Sequence, residues 1–146
     1  MENYITTVVG LDVHKESIAA GTLPPGFDRT TEMMKIENTP VAIEKLVRRA
    51  AARGPVEFVY EAGPCGFEVQ RQITALGHRC AVIAPALTPV RPGDRVKTDR
   101  RDADKLARFW RAGELTEIRV PTREEESARD LVRGARNVAL VVDDRQ

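Results

Sequence analysis

Asp12 closes the apolar run Val8-Val9-Gly10-Leu11, and Glu61 follows directly on Val56–Tyr60. An acid at the end of a buried run carries a desolvation cost unless it is paired, hydrated or bound to a cation. Asp99 and Asp102 lie three residues apart at the start of a helical pattern, so both face nearly the same side. Hard oxygen donors of this kind suit Mg²⁺ or Mn²⁺, which take a few carboxylates and leave positions for water and phosphate. Two such ions about 4 Å apart can activate a nucleophile and stabilise the leaving oxygen of a phosphodiester. Each acid also has an ordinary explanation. Asp12 could open the turn Asp12-Val13-His14-Lys15-Glu16, Glu61 could cap a Gly-Pro turn, and Asp99 with Asp102 could be a helix cap and its partner. Only their joint placement in one topology favours a metal site.

Other residues near these acids invite a role. Segment 91–111 carries eight Lys and Arg against four Asp. A local basic excess beside a metal site is suited to phosphate contact, and Arg91, Arg95, Lys97, Arg100 and Arg101 are the candidates. A solvated helix face and loop would look the same. His14 follows Asp12 by two and points to the same face of a strand. It could shuttle a proton or touch substrate, although a hairpin histidine with no visible partner is the simpler reading. Asp104 sits about 140° round the helix from Asp99 and is expected to face solvent. Gly63-Pro64-Cys65-Gly66 reads as a turn before a helix, and Trp110 as part of an apolar stripe. Cys65 and Cys80 form neither a CxxC nor a Cys/His cluster, which argues for reduced, partly buried thiols rather than zinc, a disulfide or a nucleophile.

The elements that must position these residues follow from periodicity and turn signals. Strands are expected at 4–13, 17–23, 30–37, 56–60 and 80–84, from their β-branched and apolar content. Thr39-Pro40 reads as an N-cap with proline at the first helical position, opening a helix to about Arg53 that Gly54-Pro55 closes. A second helix is expected at about 66–76 and a third at about 99–112, where Ala103, Leu106, Ala107 and Trp110 form one stripe. Leu106 shares the face of Asp99 and should draw the first turn of that helix toward the sheet. Residues 85–98, with three prolines and a glycine, read as a long loop. After a short extended piece, EIRVP, Thr122 opens a last helix with a capping box to Glu125.

The order is therefore β-β-β-α-β-α-β-α and then α. Three antiparallel strands followed by βαβ units make a mixed α/β sheet of the RNase H-like kind. In that sheet the first strand is central and lies beside the strand that follows the first helix. Asp12 would then neighbour Glu61.

Length and composition bound the rest. A chain of 146 residues with 42% hydrophobic content can build one core. A net charge of +1 does not by itself announce a nucleic-acid binder, so any basic footprint must be local. No apolar stretch approaches the ~20 residues of a membrane span. The start, Met-Glu-Asn-Tyr-Ile, lacks a signal-peptide pattern, so the cytoplasm is the expected location and a membrane is not an expected partner.

The segments VVGLDVHKESIAAG, VYEAGPCGFEVQRQITALGH, VKTDRRDADKLARFWRAGEL and IRVPTREEESARDLVRGAR, taken in order, span nearly the whole chain. They resemble the N-terminal DEDD, RuvC-like domain of the bacterial insertion-sequence transposases of the family numbered one hundred and ten. The resemblance implies an RNase H-like fold, a Mg²⁺-binding tetrad on Asp12, Glu61, Asp99 and Asp102, and recombination of DNA ends guided in family members by a structured RNA. It also implies a second domain with a nucleophilic serine, to which nothing here corresponds; Ser17 and Ser127 lie outside that motif. The expected organisation is an RNase H-like domain over 1–121, then the truncated start of a coiled-coil helix over 122–146. On that helix Ala128, Leu131, Val132, Ala135, Val138, Ala139 and Val142 make a near-heptad seam suited to self-association.

The leading expectation is metal-dependent DNA strand cleavage or recombination in transposition, incomplete in this chain alone. The alternatives are a catalytically silent nucleic-acid-binding or dimerising remnant, and a free-standing junction resolvase. An actin-like phosphotransferase is disfavoured, because Val13-His14-Lys15 lacks the glycine that close phosphate approach requires.

Overall fold

The computed structural model describes residues 5–85 and 99–131, with the side chains of 99–101 outside the description. Five strands form one sheet: β1 (Thr7–Val13), β2 (Ser17–Leu23), β3 (Glu32–Glu37), β4 (Val56–Glu61) and β5 (Arg79–Ile83). Their spatial order is β3-β2-β1-β4-β5. β1 pairs antiparallel with β2, and β2 with β3, whereas β1–β4 and β4–β5 are parallel. The mixed RNase H-like sheet expected from the element order is therefore present, with β1 at its centre. β1 starts at Thr7 rather than at residue 4; Ile5 is exposed, and Tyr4 lies outside the described residues.

Two helices cover one face. In α1 (Pro40–Ala51), the Thr39 side chain accepts a hydrogen bond from the Ala42 N–H at 3.2 Å, and proline occupies the first turn where it forfeits no helical bond. α2 (Glu68–Ala75) starts two residues later than expected because Gly63–Gly66 is spent on a turn, closed by Gly66 N–H to Gly63 O at 3.0 Å. The core beneath them takes alternate strand residues: Val9 and Leu11 of β1, Phe58 and Tyr60 of β4, with Ile43, Val47 and Ile73 from the helices. Cys80 is buried there and its thiol is pushed up to about 12 by desolvation, while Cys65 is half-buried; neither is in a disulfide.

The opposite face belongs to α3 (Asp99–Arg111). Its Leu106 and Ala107 pack on Val8, Leu23, Val59, Ala81 and Ile83, with Trp110 at the margin. Leu106 thus draws the helix onto the sheet as its position in the stripe requires. Beyond α3 the chain runs along β5: Ile118 N–H donates to Val82 O at 2.8 Å and Ala84 N–H to Thr116 O at 3.0 Å, which covers the sheet edge. Residues 123–131 form a further helix, α4, capped by Thr122, whose hydroxyl oxygen accepts from Glu125 N–H at 3.1 Å. Of the seam expected on this helix, Ala128 and Leu131 are described and exposed; the remaining seam residues lie outside the described ones. Among the described residues no helix is long and apolar enough to cross a membrane.

Candidate acidic site at the strand ends

Strand alternation decides which face each acid serves. Val9 and Leu11 of β1 point to the α1/α2 core, so Val8, Gly10 and Asp12 point toward α3. On β4, Phe58 and Tyr60 take the first core and Val59 the second, which puts Glu61 on the α3 face as well. The parallel register pairs Leu11 with Tyr60; one residue further along each strand stand Asp12 and Glu61. Both are at the carboxyl ends of adjacent strands, where open α/β sheets bind ligands. Tyr60 steadies the turn that follows Glu61. Its buried hydroxyl donates to Gly66 O at 3.1 Å and accepts from Gln70 N–H at 3.3 Å, and burial drives its pKa far above the ordinary value.

α3 runs antiparallel to β1, and two contacts fix this. At its middle, Ala103 and Ala107 press on Gly10: a Cβ there would lie 2.8 Å from Ala107 N and overlap the Ala103 carbonyl oxygen. Gly21, the register partner of Gly10 on β2, is less tightly covered: a Cβ there would lie 3.0 Å from Met33 Sδ and 3.3 Å from the Ala103 carbonyl carbon. At its far end, Arg111 reaches the start of β1 and the end of β2. Its Nη1 donates to Pro24 O (2.9 Å) and Phe27 O (3.1 Å), and its Nη2 to Thr6 O (2.9 Å) and Leu23 O (2.8 Å). From Ala103 back to Asp99 the helix rises ~6 Å, and from Gly10 on to Asp12 the strand advances ~7 Å. The first turn of α3, carrying Asp99 and Asp102, therefore comes to the same end of the sheet as Asp12 and Glu61.

Asp102 is half-buried in that turn. The side chain of Asp99 lies outside the described residues, and among the described residues no three His, Cys, Asp or Glu side chains are grouped closely enough to hold a metal. Arg100 and Arg101 belong to the same turn by their backbone; Arg91, Arg95 and Lys97 fall outside the described residues, as does most of the expected loop.

Two residues depart from expectation. His14 has a partner after all: its Nε2 lies 2.9 Å from Asp12 Oδ2, with the imidazole half exposed and the carboxylate mostly covered. The signal was the i, i+2 spacing on one strand. Asp104 does not face open solvent. It accepts from Thr30 N–H (3.1 Å) and Thr30 Oγ1 (2.8 Å), with Arg108 at 3.3 Å, and so ties the β2–β3 connection to α3. Helical angle alone misplaced it, because that angle cannot register a loop folding over the helix flank. Arg111 was not singled out either. Nothing in a run of basic residues marks the one whose guanidinium will satisfy backbone carbonyls.

The family model described as transposase, DEDD type of the IS110 group, matches residues 9–143. This chain belongs to the IS110-type DEDD transposases. A transposase-named protein of Sinorhizobium fredii, y4qE, is 44% identical to this IS110-type chain over 133 residues, covering 90% of the chain and 34% of the relative. The transposase for insertion sequence element IS1533 of Leptospira borgpetersenii is 34% identical over 136 residues, covering 90% and 39%. The IS110-type chain thus spans little more than a third of the length of these curated relatives. Among solved structures, T. thermophilus RuvC in complex with a Holliday junction substrate superposes with a TM-score of 0.48 at 12% identity, covering 77% of this chain and 99% of that one.

Proposed function

We propose that this domain carries the metal-dependent strand-cutting site of a DNA transposase, with Asp12, Glu61, Asp99 and Asp102 as its ligand set. One observation supports this above the others. Asp12 and Glu61 end adjacent strands on the face that α3 crosses, and α3 brings the turn bearing Asp99 and Asp102 to that same end. Carboxylates from three separate elements at one end of the sheet repel one another if drawn together, and a divalent cation would relieve that repulsion. The donors are all hard oxygens, which fits Mg²⁺ or Mn²⁺ and does not fit a thiophilic metal. When bound, such ions supply charge neutralisation at the scissile phosphodiester.

The protein's part is positioning. The sheet fixes Asp12 and Glu61, and the glycine-seated helix fixes the height of the turn above them. Arg100 and Arg101 in that turn, with Arg91, Arg95 and Lys97 ahead of it, are the proposed contacts to the DNA backbone. In this reading residues 1–121 are the RNase H-like domain and 122–146 begin a longer helix through which copies associate. A structured guide RNA is a further partner of the complete transposase, and strand exchange belongs to that longer protein.

The deciding measurement is a Mn²⁺ titration by calorimetry of the wild-type chain against Asp12→Asn. The expected result is saturable binding that the substitution abolishes. Equal uptake by both would remove the site, and DNA binding that survives in both would leave a silent nucleic-acid-binding domain.

A further inference from the structure

We propose that His14, held by Asn38, positions the Asp12 carboxylate, so that two residues outside the four acids set how tightly the site takes a divalent cation. The inference rests on Asp12 being a ligand, as proposed above.

An ionised carboxylate can only accept, so the 2.9 Å contact requires the proton on His14 Nε2, which donates to Asp12 Oδ2. A histidine on an exposed turn would ordinarily hold such a contact weakly, because ordering two side chains costs entropy. Here the backbone beneath it is fixed. His14 N–H donates to Ser17 O at 2.8 Å, closing the β1–β2 turn. Asn38, directly after β3, then fastens that turn: its Nδ2 donates to His14 O at 2.8 Å and its backbone N–H to Glu16 O at 3.0 Å. Asn38 directly precedes Thr39, the N-cap of α1. The α1 start is joined to Asn38 through the backbone, Asn38 to the turn through hydrogen bonds, and the turn to Asp12 through the His14 side chain. This path reaches a carboxylate at the proposed site from an element that carries none of the acids. Hydrogen-bonded partners of ligating carboxylates orient them, and their removal commonly weakens metal affinity 10- to 100-fold.

The test is Mn²⁺ calorimetry on the 146-residue chain and its variants, with thermal unfolding in the absence of metal as a separate measure of folding. His14→Ala is expected to weaken Mn²⁺ binding about 10- to 100-fold with little change in unfolding temperature. His14→Gln, whose side-chain amide can place a donor near the Nε2 position, is expected to recover most of the loss. Asn38→Ala is expected to weaken binding in the same direction by a smaller factor. If His14→Ala binds as wild type while Asp12→Asn does not, the inference fails and the metal site stands. If His14→Ala and His14→Gln lose equally, hydrogen-bond donation is not the role and the inference fails. If Asp12→Asn also binds as wild type, the underlying site is wrong and the inference falls with it.

Discussion

Asp104 illustrates what a single side chain decides in this domain. Its burial would raise its pKa, but the two hydrogen bonds from Thr30 and the Arg108 guanidinium outweigh that and hold it below its ordinary 3.8. A carboxyl whose folded pKa is depressed stabilises the protein fully above the unfolded value, and that stability is lost as the pH falls through the folded one. Urea unfolding of wild type and Asp104→Asn should therefore differ by a constant amount near neutrality, and the gap should narrow below about pH 4. A gap independent of pH would mean the contacts do not depend on ionisation. The sequence did not disclose this residue, because the loop that covers it is placed by tertiary contacts 74 residues away in the chain. Asp12 and Glu61 were legible for the opposite reason: an acid ending an apolar strand is anomalous within its own neighbourhood. His14 falls between the two. The face it shares with Asp12 could be read from spacing, and the hydrogen bond between them from the structure alone.

At the level of elements, the seat of α3 on the Gly10–Gly21 pair sets the height of the acidic turn. Gly10→Ala would drive a methyl group into the backbone of Ala103 and Ala107, which cannot step aside as a side chain can. The expected cost is about 1–3 kcal/mol in urea unfolding, as for overpacked cores. Gly21→Ala should cost less, since the nearest atom there is the flexible Met33 sulfur at 3.0 Å. Equal losses at both positions would contradict a helix seated chiefly on Gly10. All five strands and the helices near 40, 68 and 99 could be placed from sequence to within a few residues, because each carries its own period and its own stop signal. The glycines could not be assigned a task in that way. A glycine inside a strand says only that something approaches closely, and here what approaches is a helix nearly a hundred residues later in the chain.

For the whole molecule, the join between the sheet domain and α4 is made of charge. Arg71 on α2 bonds Glu126 of α4, the Pro121 carbonyl (3.0 Å) and Glu68 (2.8 Å), while Arg123 adds a second contact to Glu68 at 2.9 Å. Arg71 is well covered and lies over the Phe67 ring. Arg71→Ala should remove the bonds to Glu126 and the Pro121 carbonyl, while Glu68 keeps Arg123. With the carboxylate partners open to water the expected cost is about 1 kcal/mol or less, and 123–131 should become more open to limited proteolysis. Unchanged cleavage would show that α4 is held by other means. The topology, β1 central and parallel to β4, was legible from element order alone, whereas this electrostatic join was not, because its partners are 55 residues apart and are ordinary surface types. The arrangement of Asp12 and Glu61 has a consequence for how such a gene can vary. Their common face depends on odd–even counting along two strands. Lengthening the β2–β3 connection leaves that count untouched, but inserting one codon between Thr7 and Asp12, or between Val56 and Glu61, turns one acid to the opposite side of the sheet. Length polymorphism should therefore gather in the connections and be absent from these two six-residue stretches.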